Sequence, residues 1–542
     1  MPNPQPPAAK PPKRPVFAAA ALTAALAALV PLVCLFYLTG RPGNDGTAGG
    51  GEDRLARGSA APSNRADPND HGAAGSPHNI VFLLSDDQDA RSLASMPNVQ
   101  KLLVGQGKTF ENATFAQPLC CPSRATMLTG RYPHNTGIYD NQGEDGGHDA
   151  FVGRGLEGST YATWLDGAGY ETGYFGKYMN GYADPERVPP GWDRWAAAVD
   201  LPSSMRLSDD GHERDLQGGY ETFDLAIADL SLGFLEEQVG APEGGPEGPE
   251  GPGNPEGEEE PFFMVASFSA PHTELGMARY EERYENRFED ARWPRTPNFA
   301  ERDRSDKPGW VRQMPRPTAE TRLAIDRFHR ARLRSLLTVD DAVGRYAEVL
   351  EEAGELDDTY FFYFSDNGYH MGNHSLPDHG KNTPYTEGVE FPLVVRGPGV
   401  SPGSSDPRLV SNADIPATFA DIADTEPATA VDGRSLLPPM MGREPAGAVP
   451  WRDALLVEGK PTKNYPENWP AYEAVRTKGF AYHYYAETGE EELYDLRQDP
   501  YQLESLHDDP EHAAAEGALR RRLEEMRDCA GEGCRRVEAG RP

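Results

Sequence analysis

The stretch NIVFLLSDDQD, Asn79–Asp89, sets a short, wholly apolar run against a cluster of acidic side chains, and the chain repeats that arrangement at YFFYFSDNGYH, Tyr360–His370. Runs of this length, apolar at consecutive positions, suit strands buried on both faces of a parallel sheet. YETGYFG from Tyr170, PFFMVASFS from Pro261 and FPLVVRG from Phe391 are runs of the same kind. Between them lie helical stretches, STYATWLDGAG from Ser159 and RLRSLLTVDDAVGRYAEVLEEAG from Arg332, each with glycine at its end. The pattern predicts an α/β domain over residues 78–400 with helices on both faces of its sheet. Beyond about Val400 the grammar changes. AYEAVRTKGFAYHYYAETGEEELYDLRQDP reads as three strands with a turn at Glu487–Glu490, followed by a helix from about Glu511 to Arg527. Residues 401–542 are therefore expected to form a smaller antiparallel α+β subdomain.

Ahead of this domain, residues 1–15 hold Lys10, Lys13 and Arg14, and residues 16–39 carry no charge. A span of that length crosses a bilayer as a signal anchor, and the basic residues before it keep the N-terminus in the cytoplasm. The remainder is expected outside the cytoplasm, membrane-anchored, or secreted if the segment is cleaved. Cys34 reads as an apolar residue of that span. Residues 40–77 are a Gly, Ala, Ser, Pro and Asp tether, and residues 240–260 an acidic disordered insert. The formal net charge of -34 argues against nucleic acid or an anionic membrane surface as the main partner, leaving the N-terminal segment as the one expected membrane contact. Five cysteines in 542 residues are too few for a disulfide framework. Cys529 and Cys534, in CAGEGC, are expected to form a local disulfide clip. A terminal metal site is the weaker reading, because no histidine or further cysteine stands nearby.

Ligands of open α/β sheets bind beyond the carboxyl ends of the strands. Asp86 and Asp87 follow one predicted strand, Asp366 and Asn367 another. Either pair alone is a common turn former. Together they make a hard, anionic oxygen site suited to calcium or magnesium. Lys177, His272, His379 and Lys381 follow other strand ends and supply the local positive charge that an acidic protein needs to hold an oxyanion. Carboxylates, lysines and histidine in one place suggest cleavage of a sulfate or phosphate ester.

PLCCPSRATMLTGRYPHN, Pro118–Asn135, places Cys120 and Cys121 at the start of a helix that has Pro122 in its first turn and stops at Gly130. Free amides at that end favour anions and activate a thiolate. The pair could be buried apolar residues, a vicinal disulfide, or a nucleophile. A thiolate phosphatase is excluded, because Thr126 and Met127 stand where its arginine belongs.

CCPSRATMLTGR resembles the sulfatase signature, Cys-x-Pro-Ser-Arg followed by Leu-Thr-Gly-Arg. The resemblance runs from NIVFLLSDDQD through GYETGYFGKYMNGY, VPPGWDRW, PFFMVASFSAPH and FPLVVRGPG to YDLRQDP and CAGEGC, and is strongest to the N-acetylglucosamine-6-sulfatase branch. It implies an alkaline-phosphatase-like mixed sheet sandwiched by helices. It also implies that Cys120 is oxidised to formylglycine by a formylglycine-generating enzyme that reads Pro122, Ser123 and Arg124, while Cys121 fills the variable position. Asp86, Asp87, Asp366, Asn367 and the modified Cys120 would bind one calcium ion. Arg124 would hold the formylglycine, and Lys177, Lys381 and His272 would contact the sulfate and the leaving-group oxygen. One hydroxyl of the aldehyde hydrate would attack sulfur, His272 would protonate the departing alcohol, and the second hydroxyl would expel sulfate; a serine would keep it. The chain departs from the family pattern at Met179, where many members carry histidine; Asn180, His134 or His374 could fill that space. It departs again at Tyr385-Thr386-Glu387, where Tyr-Glu is usual. The expected substrate is a sulfated sugar such as N-acetylglucosamine 6-sulfate, or an aryl sulfate. The alternatives are a phosphonate or phosphodiester hydrolase of the same superfamily, or an unmodified calcium-bound protein that binds glycans.

Overall fold

Strand β1 (Asn79–Ser85) is buried at every position. Its Ile80, Phe82 and Leu84 point into one apolar layer, and Val81 and Leu83 into another. Because both faces are covered, the run is apolar throughout and does not alternate. In the computed structural model the described residues are 77–200, 205–219, 222–240, 260–272, 278–377, 380–444, 449–462 and 469–540. The expected signal anchor (16–39), the basic segment before it and the linker up to residue 76 lie outside them, as do residues 241–259 of the acidic insert. Among the described residues no helix is long and apolar enough to cross a membrane.

The further strands are β2 (Lys108–Thr114), β3 (Glu171–Gly176), β4 (Arg194–Val199), β5 (Arg206–Asp209), β6 (His212–Asp215), β7 (Phe262–Ser267), β8 (Thr359–Ser365), β9 (Val394–Arg396) and β10 (Ser404–Ser411). With β1 they form a ten-stranded sheet in the order β10-β2-β9-β8-β1-β7-β3-β4-β5-β6. Its centre, β8-β1-β7-β3-β4, is parallel. The sequence predicts a parallel strand from Phe391. The structure instead makes β9 a three-residue strand antiparallel to both β8 and β2.

Two helices lie on one face. Ala319–Ala353 contributes Leu336, Val339, Val343, Tyr346 and Leu350 at helical spacing, and Phe223–Gln238 contributes Ile227 and Leu235. The first begins thirteen residues before the predicted Arg332, capped by the Thr318 side chain, which accepts from the Thr321 amide. On the other face sit Cys120–Thr129, Tyr161–Asp166 and Asp414–Ile422, with Ala125, Leu128, Leu165 and Phe419 in the core.

The sequence places a boundary near residue 400, yet β10 pairs parallel to β2 and Phe419 packs on Phe82 and Phe362. The large sheet thus continues past that point. The change in composition marks a polar edge strand. A second, antiparallel sheet follows, β11 (Ala454–Gly459), β12 (Tyr472–Thr477), β13 (Phe480–Tyr485) and β14 (Glu490–Asp495). One face takes Leu519, Leu523 and Met526 of the helix Ala513–Met526, and the other packs on Trp310, Tyr385 and Val389. Cys529 and Cys534 are disulfide-bonded.

Candidate active site

Strand register gathers the predicted residues at one sheet edge. Ser85 of β1 stands opposite Ser365 of β8, so Asp86 and Asp366 leave the sheet as neighbours. On the other side Leu84 pairs with Ser267 of β7, and Ser267 with Gly176 of β3, which brings in His272 and Lys177. Gly176 has φ 109°, and a Cβ there would lie 1.9 Å from the Ser267 carbonyl oxygen. Only glycine lets β3 turn out at that point and aim Lys177 at the edge.

The helix Cys120–Thr129 enters this edge N-terminus first, and Asn141 Oδ1 accepts from the Cys121 amide at 2.9 Å. Cys120 Sγ lies 3.8 Å from Asp86 Oδ1 and accepts from Lys381 Nζ at 2.9 Å. Lys177 donates to Asp86 and Lys381 to Asp87. Arg124, one helical turn beyond Cys120, donates from Nε to Asp366 Oδ2 at 2.9 Å and from Nη1 to the carbonyls of Lys177 (2.6 Å) and Tyr178 (3.1 Å). Asn367 Nδ2 donates to Asp87 Oδ1 at 2.6 Å, and His272 Nε2 stands 3.8 Å from Asp87 Oδ2.

The remaining candidates are placed elsewhere. His134 is held by Glu458 Oε1 at 2.9 Å and the Cys529 carbonyl at 2.8 Å, so it clamps the C-terminal disulfide segment. His374 is fully buried against Glu301 Oε2 at 2.7 Å. Met179 lies in the apolar core. Asn180 alone of the three auxiliary candidates borders the site: its amide donates to Cys121 Sγ at 3.2 Å. Tyr385 donates to Glu492, and Glu387 accepts from Asn298 and Asn373, so the Tyr-Thr-Glu departure falls in a network beneath the second sheet. His379 lies outside the described residues. Sequence reading missed Ser267, whose hydroxyl bridges Arg124 Nη1 (2.9 Å) and the Lys177 carbonyl (2.6 Å); its one signal was its position as the last residue of β7.

The family model for sulfatases matches residues 78–425, and the model for the C-terminal region of N-sulphoglucosamine sulphohydrolase matches residues 372–529. The N-acetylglucosamine-6-sulfatase of Homo sapiens is 33% identical over 503 residues, covering 84% of this chain and 86% of its own. The chain belongs to the sulfatase family. This sulfatase is also 33% identical to the N-acetylglucosamine-6-sulfatase of Capra hircus over 84% of each chain. A solved structure in complex with its substrate D-glucosamine-2-N,6-O-disulfate superposes with a TM-score of 0.68 at 22% identity, over 86% of this chain and 100% of that one. The phosphonate monoester hydrolase of Agrobacterium radiobacter superposes at 0.57 and 22% identity, over 82% and 94%. At such identity these two neighbours speak for the shared alkaline-phosphatase-like fold alone.

In this sulfatase the site's charges are arranged in opposition. Burial raises the Cys120 thiol to about 12 against the pull of both lysines. Burial also raises Asp366, with Asp86 adding to the effect. At Asp87 burial works the same way but is outweighed by Lys381 and His272, so its carboxyl sits below the ordinary range. Lys177 pays a desolvation cost that Asp86 more than offsets, which keeps its ammonium charged. Burial lowers His272 to about 3 despite Asp87. The ligand atoms of Asp86, Asp87, Cys120 and Asp366 all lie within 4.8 Å of one another, and Asn367 Oδ1 is buried with no partner among the described residues. An orphaned amide oxygen beside three carboxylates is a fit for a hard divalent cation.

Proposed function

We propose that this sulfate ester hydrolase acts on a glucosamine 6-sulfate-type sugar, with residue 120 as formylglycine and one calcium ion held by Asp86, Asp87, Asp366 and Asn367. The observation that carries the chemistry is the placement of residue 120 between the carboxylate cluster and two ammoniums at a helix N-terminus. Burial raises the thiol to about 12, so an unmodified Cys120 would be a poor nucleophile at neutral pH. The hydrated aldehyde offers two hydroxyls, one to attack and one to release the product. Calcium, when bound, supplies Lewis-acid neutralisation of the oxygens around sulfur. Arg124 keeps its Nη2 buried and without a partner among the described residues, on the same helix face as residue 120, where it can hold the modified side chain. Lys177 and Lys381 are aimed where sulfate oxygens gather charge. The carboxylates and residue 120 are buried, whereas His272 is a quarter exposed. Its proton affinity rises with the charge of a bound ester and of the leaving oxygen, which suits a donor to the departing alcohol.

Identity to N-acetylglucosamine-6-sulfatases over most of both chains supports the sugar class. Pro122 and Ser123 are buried in the folded chain, so a formylglycine-generating enzyme would meet them before folding is complete. The Cys529–Cys534 disulfide supports an extracytoplasmic location. The test is peptide mass spectrometry across residue 120 together with turnover of N-acetylglucosamine 6-sulfate and of matched sulfate and phosphate esters of one aryl alcohol. An aldehyde at residue 120, loss of activity on chelation and a preference for sulfate are expected. Intact cysteine in fully active enzyme would sink the mechanism, and a preference for phosphate the reaction class.

A further inference from the structure

The long helix Ala319–Ala353 carries one side chain, Arg332, that leaves its apolar face and reaches the site from beneath the sheet edge. The side chain is 2% exposed. Its Nη2 donates to the backbone carbonyl of Asp87, and its Nη1 to that of Pro271 at 3.1 Å. The guanidinium carbon stands 4.1 Å from the centre of the Tyr369 ring, and the nearest carboxylate oxygen, Asp89 Oδ2, is 3.9 Å away. These contacts fall on three loops that leave three adjacent strands. Asp87 follows β1 and belongs to the carboxylate cluster. Pro271 follows β7 and immediately precedes His272. Tyr369 follows β8, two residues beyond Asn367.

We infer that Arg332 is a positioning residue that locks the carboxylate loop, the His272 loop and the Asn367 loop into one register. Its planar fork suits the task. Two donors diverge to two carbonyls while the face rests on an aromatic ring, an arrangement that a lysine cannot reproduce. The Asp87 end needs such a restraint, because Asp87 adopts φ 65°, a left-handed conformation that costs an ordinary residue energy unless its surroundings impose it. Arg332 touches backbone and a ring, none of the groups that meet the ester. Its loss is therefore expected in kcat and in cation affinity, not in KM.

The inference rests on the calcium reading above, and the measurements separate the two. Arg332→Met, Arg332→Lys and Arg332→Ala are purified and checked by circular dichroism, then assayed with para-nitrophenyl sulfate. Calcium binding is followed independently by the calcium-dependent rise in Tm. All three variants are expected to lose about 10- to 100-fold in kcat with KM near wild type, and to need about tenfold or more calcium for the half-maximal Tm rise. Guanidinium added to Arg332→Ala is expected to restore part of kcat, and Arg332→Lys to restore none. Wild-type kcat and calcium midpoint in folded Arg332→Met or Arg332→Lys would overturn the inference. A lower Tm with kcat retained would overturn it equally, by showing a purely structural role. If Arg332→Met and Arg332→Ala fail to fold, Arg332→Lys, which keeps the buried charge, decides. Absence of any calcium effect on the wild type would defeat the calcium reading, while the kcat split and guanidinium rescue would still test Arg332.

Discussion

At residue 120 the deciding feature is the number of charges within one side chain's reach. Lys381 donates to both Cys120 Sγ and Asp87, and Lys177 donates to Asp86 while lying 4.0 Å from Asp366. Each lysine is buried and donates to an aspartate of the carboxylate cluster, and Asp86 holds Lys177 charged. On the proposed reading, a sulfate group entering beside residue 120 would meet donors already oriented, with no reorganisation needed as charge builds on its oxygens. Lys381→Met and Lys177→Met are expected to lower kcat by about 10²–10³-fold each, the usual cost of removing one preorganised donor. Arginine should not substitute at either position, because its fork does not fit where a point charge contacts two atoms. Steady-state kinetics on one aryl sulfate measure this, and an unimpaired Lys381→Met would show that the lysine serves only to neutralise Asp87. Cys121→Ala, by contrast, removes a thiol that packs in the apolar core and bonds to Asn180 and the Gly147 backbone, and a change of no more than a few-fold is expected.

At the scale of elements, the loop that carries Lys381 is fixed by a close contact. His370 and Gly380 exchange backbone hydrogen bonds of 2.7 and 3.1 Å, and the buried His370 ring lies against Gly380, so that a Cβ there would sit 1.6 Å from Cε1. Gly380→Ala must displace either the ring or the loop, with overpacking costs of about 1–3 kcal/mol. A fall in Tm and in kcat is expected, and His370→Ala in the same chain should recover part of both. A double-mutant cycle measures the coupling, and strictly additive effects would refute the contact. This pairing was not legible in the sequence, where the histidine of SDNGYH and the glycine before Lys381 stand ten residues apart with no pattern joining them. What was legible were the elements with a strong physical signature. β1, β3, β7 and β8 are buried on both faces, so their runs are continuous and the Asp-Asp and Asp-Asn pairs at two of their ends stand out. β6 was silent because His212–Asp215 is exposed throughout and reads as loop, and β5 because its four residues bury only Leu207 and Ser208 at their centre. The first thirteen residues of the helix Ala319–Ala353 are rich in charge and bury only Ile325, Phe328 and Ala331 among their apolar side chains, so the period stands out in the sequence only from Arg332 onward. His134 and His374 fit the motif spacing but are consumed by Glu458 and Glu301, partners more than seventy residues away in the chain that only the fold brings near.

Over the whole molecule, the two sheets are joined through a buried carboxylate. Glu492 of β14 accepts from Tyr385 of the large domain at 2.9 and 3.2 Å, from Tyr485 at 2.7 Å and from Tyr494, and lies 3.2 Å from His483 Nδ1. Burial alone would raise its pKa. The bond to His483 and those from the tyrosines prevail and hold it at about 2, below the ordinary value of 4.5. A depressed folded-state pKa means that the ionised form favours the folded state, so the stability it contributes is complete above about pH 4.5 and lost as pH falls towards 2. Three hydroxyl donors are left facing an amide in Glu492→Gln, so this variant should be less stable than wild type at pH 7, and the difference should shrink as the pH is lowered from about 4.5. Denaturant unfolding at a series of pH values, followed by tryptophan fluorescence from the Trp310 and Trp469 pair packed 4.7 Å apart at the same junction, measures it. A difference that stays constant from pH 7 down to the acid transition would show that the cluster is held by packing and that the charge of Glu492 contributes nothing to the docking of the second sheet.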